Sequence, residues 1–200
     1  MITRLRLVEG AKPLAESDAA LVARVRGGDR DAEDALYRAH AESTAGLIAR
    51  LLGSSQDAED VLHDAFVIAF QQIDRLREPS AFRGWLRQIA IIRVRRTIRR
   101  KRLLRALGLL PAGDDLALER LASPAASPEV LAELAVIDGV LRTLSADQRI
   151  AWMLRYVEGH RLVDVAALIG CSLATAKRRI AAAAEAMSAV TDIAPLEEGR

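Results

Sequence analysis

The sequence predicts an all-α protein with two small helical domains joined by a linker, and three observations lead to that prediction. The composition favours helix, because Ala, Leu, Arg and Glu dominate while Gly and aromatic residues are scarce. Apolar residues recur at intervals of three and four along several segments, whereas no stretch alternates apolar and polar residues with a period of two. Two blocks with such helical stripes flank a proline-containing segment, which indicates a linker between two domains.

Length, charge and cysteine content narrow the class of protein. The 200 residues suffice for one domain or two small ones, and the net charge of +2 does not by itself indicate a nucleic-acid partner. The single cysteine, Cys171, excludes an intrachain disulfide and a cysteine-rich zinc site, and we expect it to be a small buried residue. The N-terminus lacks the apolar run of a signal peptide, and no stretch reaches membrane-spanning length. We therefore expect a cytoplasmic protein without direct membrane insertion.

Two helices open the first domain. Ser17 is a natural N-cap for a short helix that Gly27 ends. The second helix is predicted to begin after Asp29 or Asp31 and to end at Gly53. Its buried face is predicted from helical spacing. The residues of that face are Leu36, Ala39, Ser43, Leu47 and Leu51.

The third predicted helix has one apolar face and one acidic face. Asp57 is predicted to cap it. Its apolar stripe comprises Val61, Leu62, Ala65, Phe66, Ala69 and Phe70. The other face has Glu59, Asp60 and Asp64, with His63 beside them. A solvated acidic face near a helix N-terminus is ordinary, but acids beside apolar residues can also dock a basic partner helix. The residues alone leave both interpretations open.

A long basic helix is the next predicted element. Ser80 is predicted to cap it, and residues 83–105 contain ten basic residues and no acid. One apolar stripe of this helix becomes basic towards the C-terminal end; it comprises Phe82, Trp85, Leu86, Ile89, Arg93, Arg96 and Arg100. A second row, formed by Ile91, Val94 and Ile98, predicts protein contacts on another side. A run of arginines usually forms a solvated face. Inside an apolar helical pattern, it instead favours a row of ordered arginine side chains that contact successive phosphates of a nucleic acid.

A change in composition separates the two domains. Residues 104–127 are predicted to form a linker that lies partly on a surface, with a helical turn at residues 116–121. Ser127 then caps a helix whose first turn contains a proline and an acid. Ser145 begins a capping box and a further helix that stops before Gly159.

The last two predicted helices have the pattern of a helix-turn-helix. Gly170 lies where a helix C-terminus favours positive φ, and Ser172 is a natural N-cap for the second helix. Thr175, Lys177 and Arg178 lie near the start of that helix, the end which such motifs insert into a major groove. The alternative is an ordinary helical hairpin with a solvated basic face.

Three ordered motifs carry a resemblance to a known family. They read DAEDVLHDAFVIAF, FRGWLRQIA and QRIAWMLRYVEGHRLVDVAALIGCSLATAKRRI. Over residues 18–188, with a variable linker between two blocks, they resemble the extracytoplasmic-function sigma factors of the sigma-70 family. The resemblance implies an alternative sigma factor and not an enzyme. Such a subunit binds RNA polymerase core and directs promoter-specific initiation by reading the minus-35 and minus-10 elements of promoter DNA. It also implies an anti-sigma factor as a partner, with no cofactor and no metal ion.

The resemblance divides the chain into five segments. Residues 17–103 correspond to sigma region 2, and residues 128–190 to the region 4 helix-turn-helix domain. A flexible N-terminal arm (1–16), the linker (104–127) and a tail (191–200) complete the chain.

Three groups of site residues follow from the resemblance. The core-binding group lies on the acidic helix and comprises Asp57, Glu59, Asp60, His63, Asp64 and Phe66. The minus-10 group lies in the next loop and the basic helix and comprises Arg77, Ser80, Phe82, Arg83, Trp85, Arg93, Arg96 and Arg100. The minus-35 group comprises Arg161, Ser172, Thr175, Lys177 and Arg178. The family often has Asn where Ile92 stands and Asp near Arg96, so the base preference of the basic helix stays open. It more usually has Gln at the position of His63, which affects the detailed assignment on the docking face but not the face itself.

Three other classes of protein compete with this interpretation. A two-domain helix-turn-helix regulator that does not engage core polymerase would have no use for the acidic helix. An enzyme is disfavoured, because the three histidines are scattered and no phosphate loop or catalytic constellation is present. Asp60 and Asp64 could share a metal ion at helical spacing, but without further ligands a solvated face is the better interpretation. A purely structural helical adaptor would leave the ten basic positions unexplained.

Overall fold

The computed structural model describes residues 16–110 and 127–189, and these residues form eight α-helices and two 3₁₀ turns without a strand. The predicted all-α class is therefore confirmed. In chain order the helices are α1 (Asp18–Arg26), α2 (Arg30–Leu52), α3 (Ser55–Gln71), α4 (Phe82–Ala106), α5 (Pro128–Thr143), α6 (Ala146–Tyr156), α7 (Leu162–Ile169) and α8 (Leu173–Ser188). The 3₁₀ turns, Ile73–Arg75 and Pro79–Ala81, lie between α3 and α4. The predicted arm up to residue 15, the helical turn at 116–121 and the tail lie outside the described residues.

Capping residues set the first two helices as predicted. Ser17 Oγ accepts a hydrogen bond from the Ala20 amide at 3.3 Å at the start of α1. Asp29 caps α2, and Gly53 ends it with φ +70°, which a residue without a Cβ adopts at little cost.

The buried face of α2 differs from the prediction at two positions. Ala39 and Ser43 are exposed, whereas His40 and Thr44 are buried. His40 can be buried because its Nε2 lies 2.9 Å from a carboxylate oxygen of Asp18, which satisfies the polar ring. A polar pair between α1 and α2 therefore replaces the apolar contact that spacing alone predicted.

The predicted caps of α3 and α4 were wrong by a few residues. Ser54 caps α3 and places Asp57 in the first turn, where a carboxylate also favours the helix. Ser80 lies within a 3₁₀ turn that precedes α4, and its hydroxyl donates to Glu78 at 2.9 Å. The basic helix also continues to Ala106, three residues beyond the predicted end of the first domain.

The C-terminal domain begins with the predicted caps. Ser127 caps α5, and Ser145 forms a capping box with Gln148 at the start of α6. Trp152 is buried as predicted, and its ring lies 5.3 Å from that of Tyr156. Cys171, which we predicted to be buried, is only half-buried, because it occupies the turn between α7 and α8.

The helix α4 joins the two domains. Its buried side packs on α2 and α3, and its other side contacts α6 and α7 of the C-terminal domain. The predicted contacts of this helix on two sides are therefore present. Among the helices that the structure describes, none is long and apolar enough to cross a membrane.

Candidate nucleic-acid interface

The helix-turn-helix of α7 and α8 positions the predicted minus-35 group. Gly170 ends α7 with φ +66°, and the amide of Cys171 donates to the carbonyl of Ala166 at 3.0 Å. Lys177 and Arg178 are exposed in the first turns of α8, so their cationic groups can meet DNA as the predicted docking mode requires.

Ser172, Thr175 and Arg161 make hydrogen bonds within the C-terminal domain. Ser172 Oγ accepts from the Thr175 amide at 3.2 Å, and the two hydroxyl oxygens lie 2.9 Å apart. Ser172 is therefore the N-cap of α8 as well as a candidate DNA contact. Arg161 Nε donates to the Asp164 carboxylate at 2.9 Å, which raises the pKa of Arg161 and fixes the direction of its guanidinium.

The acidic face of α3 is partly paired with α4. Its exposed members are Glu59, Asp60 and His63. Asp64 binds the guanidinium of Arg93, and Asp57 accepts a hydrogen bond from Lys101 Nζ at 2.5 Å. Burial raises the pKa of Asp57, but the hydrogen bonds from Lys101 and Ser54 outweigh that effect and hold the pKa below its ordinary 3.8. Asp57 is therefore ionised at neutral pH, and its charge is already matched within the domain.

These pairs border a groove of about 590 Å³ between α3 and α4. Arg93, Arg96 and Arg100 line one side, and Asp60 and Asp64 line the other. Three of the predicted minus-10 arginines therefore lie directly beside the predicted core-binding acids. A partner that binds the acids will change the electrostatic surroundings of the arginines.

The remaining minus-10 residues lie at the other end of α4. Arg77 and Arg83 are exposed, and Trp85 is half-buried. All three line a cleft of about 690 Å³ between the start of α4 and α7, which includes His160 from the C-terminal domain. Six of the eight predicted minus-10 residues are thus divided between this cleft and the groove beside α3.

Two predicted site residues lie in the hydrophobic core. Phe66 is 3% exposed and Phe82 is fully buried, so neither ring presents a face to a partner in this conformation. Phe66 packs against Tyr37 with ring centroids 4.7 Å apart, and Phe82 lies 5.4 Å from the His40 ring. Their role in the described structure is to support the surfaces above them.

Sequence reasoning missed the charged residues that join the two domains. Asp147, at the start of α6, lies 2.7 Å from Arg95 Nε and 3.0 Å from a terminal nitrogen of Arg99, both on α4. A terminal nitrogen of Arg179, on α8, is 3.1 Å from the same carboxylate. Nothing in the sequence indicated these contacts, because ion pairs between distant residues leave no periodic signal.

Two further arginines cross between the domains. Arg149 is 5% exposed and donates to the carbonyl of Leu51 at the end of α2. Arg50, also on α2, forms a two-pronged ion pair with Glu158, in which one nitrogen-to-oxygen distance is 3.0 Å. Bidentate arginine–carboxylate pairs are geometrically specific, so they fix how the two domains meet.

Within residues 16–110 and 127–189, no cluster of His, Cys, Asp or Glu side chains is arranged to hold a metal ion. The candidate site is therefore a set of charged surfaces: the acidic face of α3, the basic α4 and the N-terminal end of α8.

Comparison with known proteins decides the family. Residues 36–103 match the family described as Sigma-70 region 2, and residues 134–187 match Sigma-70, region 4. The RNA polymerase sigma-H factor of Pseudomonas aeruginosa is 32% identical over 184 residues, which cover 86% of this chain and 92% of that protein. The chain belongs to the sigma-70 family of RNA polymerase sigma factors. Its predicted place among the extracytoplasmic-function sigma factors is confirmed.

One further sequence relative and two solved structures are similar to this sigma factor. The probable RNA polymerase sigma factor RfaY of Xanthomonas campestris pv. campestris is 34% identical over 125 residues, 60% of this chain but only 30% of that protein. The structure of CnrH in complex with the cytosolic domain of CnrY shares the fold, with a TM-score of 0.58, 24% identity and coverage of 90% of this chain and 100% of that one. The sigma factor RpoE in complex with the anti-sigma factor NepR, from Bartonella quintana, has a TM-score of 0.56, 21% identity and coverage of 77% and 92%.

Proposed function

We propose that this sigma factor binds RNA polymerase core through the acidic face of α3 and directs initiation by reading the minus-10 element with α4 and the minus-35 element with α8. The observation that carries the proposal is the arrangement of one acidic and two basic surfaces on a two-domain chain whose matched regions are sigma regions 2 and 4. A transcription initiation subunit of this kind acts by placing the polymerase, and we assign it no catalytic residue.

The acidic face suits a basic helical partner. Asp60 and Glu59 are exposed on α3, and the apolar Val67 is 38% exposed on the same helix. A basic helix of the polymerase core that docks here would bind the exposed acids first and then compete with Arg93 for Asp64. Core binding would therefore release an arginine on the helix that we assign to the minus-10 element.

The two DNA-reading surfaces suit different forms of DNA. A basic helix with one half-exposed tryptophan, Trp85, fits a melted strand held through its phosphates and by limited stacking. The compact donors at the start of α8 fit the base edges and phosphates of a duplex major groove. This division matches the minus-10 and minus-35 assignments.

An anti-sigma factor is a further expected partner. The related sigma factor RpoE of Bartonella quintana was solved in complex with the anti-sigma factor NepR. In the present chain the cleft between the start of α4 and α7 has walls from both domains, so one bound partner would cover both.

Co-purification with core polymerase separates this proposal from a helix-turn-helix regulator that does not engage core. We expect the purified chain to form a stoichiometric complex with core polymerase, detected by gel filtration. A chain that binds duplex DNA but elutes apart from core would be a regulator of the second kind.

Replacement of Lys177 or Arg178 by Ala is expected to weaken minus-35 duplex binding by about tenfold without affecting core association. The reason is the loss of a charge-assisted contact worth about 1–3 kcal/mol at the exposed end of α8. If either side chain contacts a phosphate, the salt dependence of binding falls by about one unit of slope. Fluorescence anisotropy on a labelled duplex over a salt series measures both quantities.

Arg142→Ala is the matched control, since it removes the same charge from an exposed position on α5. We expect it to bind the duplex like the unmodified chain. Equal affinities for the two α8 variants and the control would refute the assignment of α8 as the minus-35 reader.

A further inference from the structure

Arg95 and Arg99 are two of the α4 arginines outside the predicted minus-10 group, and both face the other domain. Arg95 and Arg99 point towards α6, where both approach the carboxylate of Asp147 at 2.7 and 3.0 Å. The carboxylate side chain is 16% exposed and that of Arg95 is 21% exposed, whereas Arg99 is 63% exposed at the rim. Arg179 of α8 contributes a third guanidinium at 3.1 Å. One carboxylate thus neutralises part of a cluster of three cations.

The same side of α4 also holds the end of α7. Arg95 donates a hydrogen bond to the carbonyl of Ile169 at 2.9 Å, and Gln88 donates to the carbonyl of Ala167 at 3.0 Å. These carbonyls belong to the last turn of α7, where the helix supplies few donors of its own, and the Ala167 carbonyl also accepts the amide of the cap residue Gly170 at 3.2 Å. The C-terminal domain therefore covers the basic helix through an acid and through carbonyl oxygens, all of them acceptors.

A carboxylate and a phosphate oxygen are interchangeable ligands for such a cluster. Guanidinium groups bind both through parallel hydrogen bonds from two nitrogens. Here the fit is incomplete, because Arg95 Nε and Asp147 Oδ1 are both buried and close together, yet neither makes a well-directed hydrogen bond to any described residue. Buried polar atoms that lack a directed hydrogen bond weaken an interaction, so another acceptor can replace this carboxylate at modest cost.

The closed arrangement cannot persist on a promoter. The minus-35 and minus-10 elements lie about 25 base pairs apart, which is about 85 Å of B-DNA. A compact chain of this length has an expected diameter of about 45 Å. The two domains must therefore separate before each can reach its element, and separation withdraws Asp147 from Arg95 and Arg99 on the helix assigned to the minus-10 strand.

We propose that Arg95 and Arg99 form a phosphate-binding site that Asp147 occupies while the two domains are closed. The site takes a backbone phosphate of the melted promoter strand when they open. Domain closure and DNA then compete for the same guanidinium groups. The inference rests on the proposed function for the identity of the DNA, whereas the competition itself needs only a single strand of any sequence.

Asp147→Asn in the full-length chain tests the competition directly, because it removes the charge and keeps the size of the side chain. The probe is a fluorescent single-stranded oligonucleotide of random sequence. We expect its affinity to rise about tenfold, the gain expected when about nine-tenths of the unmodified chain is closed. We also expect the radius of gyration from small-angle scattering to increase, because the two domains separate. In the Asp147→Asn background, Arg95→Gln and Arg99→Gln should each reverse part of the gain and lower the salt slope by about 0.7.

Glu133→Gln, which removes the same charge from an exposed position of the C-terminal domain, controls for net charge and should leave both measurements unchanged. An unchanged affinity in Asp147→Asn, whether or not the chain expands, overturns the proposal. A gain that survives both glutamine substitutions overturns it as well. Failure of the proposed function is a separate result, since it would appear as absent initiation with core polymerase and would not alter binding to the random strand.

Discussion

Reversing the charge of Asp60 and Asp64 together is expected to weaken binding to RNA polymerase core by at least about 100-fold. Both lie on the acidic face of α3, and like charges placed against a basic partner cost several kcal/mol, of which about 2.7 kcal/mol corresponds to a hundredfold change. Asp60→Arg with Asp64→Arg also brings a new cation towards Arg93, which at present pairs with Asp64. Circular dichroism melting of the variant must therefore accompany the binding measurement.

The single variant Asp60→Arg tests docking to core polymerase without disturbing the ion pair between Arg93 and Asp64. Asp60 is exposed, so its reversal leaves the Arg93–Asp64 contact in place, and we expect most of the affinity loss to remain. Asp34→Arg with Glu42→Arg is the control for net charge, because it reverses two exposed acids of α2. Titration of labelled core polymerase measures all three variants. Retention of unmodified affinity by a folded Asp60 and Asp64 double variant would remove α3 as the docking helix.

Replacement of Arg149 by Met is expected to cause the largest loss of stability among single substitutions at the domain interface. Arg149 is buried, it donates to the Leu51 carbonyl, and Asp138, 2% exposed, attracts its charge. Removal of one member of a buried charged pair costs about 3–5 kcal/mol. For a chain of this size the loss corresponds to a decrease of about 6–20 °C in the melting temperature.

We expect the loss of stability caused by Arg149→Met not to depend on pH near neutrality, because Arg149 stays protonated there. Burial lowers the pKa to about 10, and the attraction of Asp138 offsets that effect only in part. Because the folded-state pKa lies below the ordinary 12.5, the cost of burying the charge is present at every pH below about 10 and is relieved only as the pH rises above it.

A double substitution distinguishes the lost pair from lost packing. Arg149→Met with Asp138→Leu replaces the two buried charges by apolar groups, and such replacements are often neutral or stabilising. We expect the double variant to regain most of the stability that Arg149→Met loses, as measured by thermal melting. A double variant that is no more stable than Arg149→Met would show that the loss came from packing, and the assigned charge pair would be wrong.

Local features of this fold were predictable from the sequence, whereas contacts between distant elements were not. Ser17, Ser127, Ser145 and Gly170 act as the caps that their residue types predict, because capping depends on atoms within one turn. The buried His40 was missed, because its burial depends on Asp18, 22 positions earlier in the chain. Spacing along one helix does not reveal such a partner.

At the candidate site, too, some features were predictable from the sequence and others were not. The exposed Asp60, Lys177 and Arg178 lie where the motifs predicted them. Phe66 and Phe82 were assigned to binding groups through the resemblance, yet both rings are buried, since a motif does not distinguish a contact residue from the core residue beneath it. The pairing of α4 with Asp147 was missed entirely, because it requires the packing of two domains that a sequence pattern describes one at a time.

Reconstitution of the full-length chain with RNA polymerase core on a genomic promoter library tests the central claim most directly. We expect initiation at a subset of sites that share two sequence blocks at a fixed spacing, one at the minus-35 position and one at the minus-10 position. The folded Asp60→Arg variant should abolish this initiation, and the Lys177→Ala variant should weaken it mainly at sites with a poor minus-35 block. Initiation no higher than that of core alone, from a preparation shown to be folded, would contradict the account.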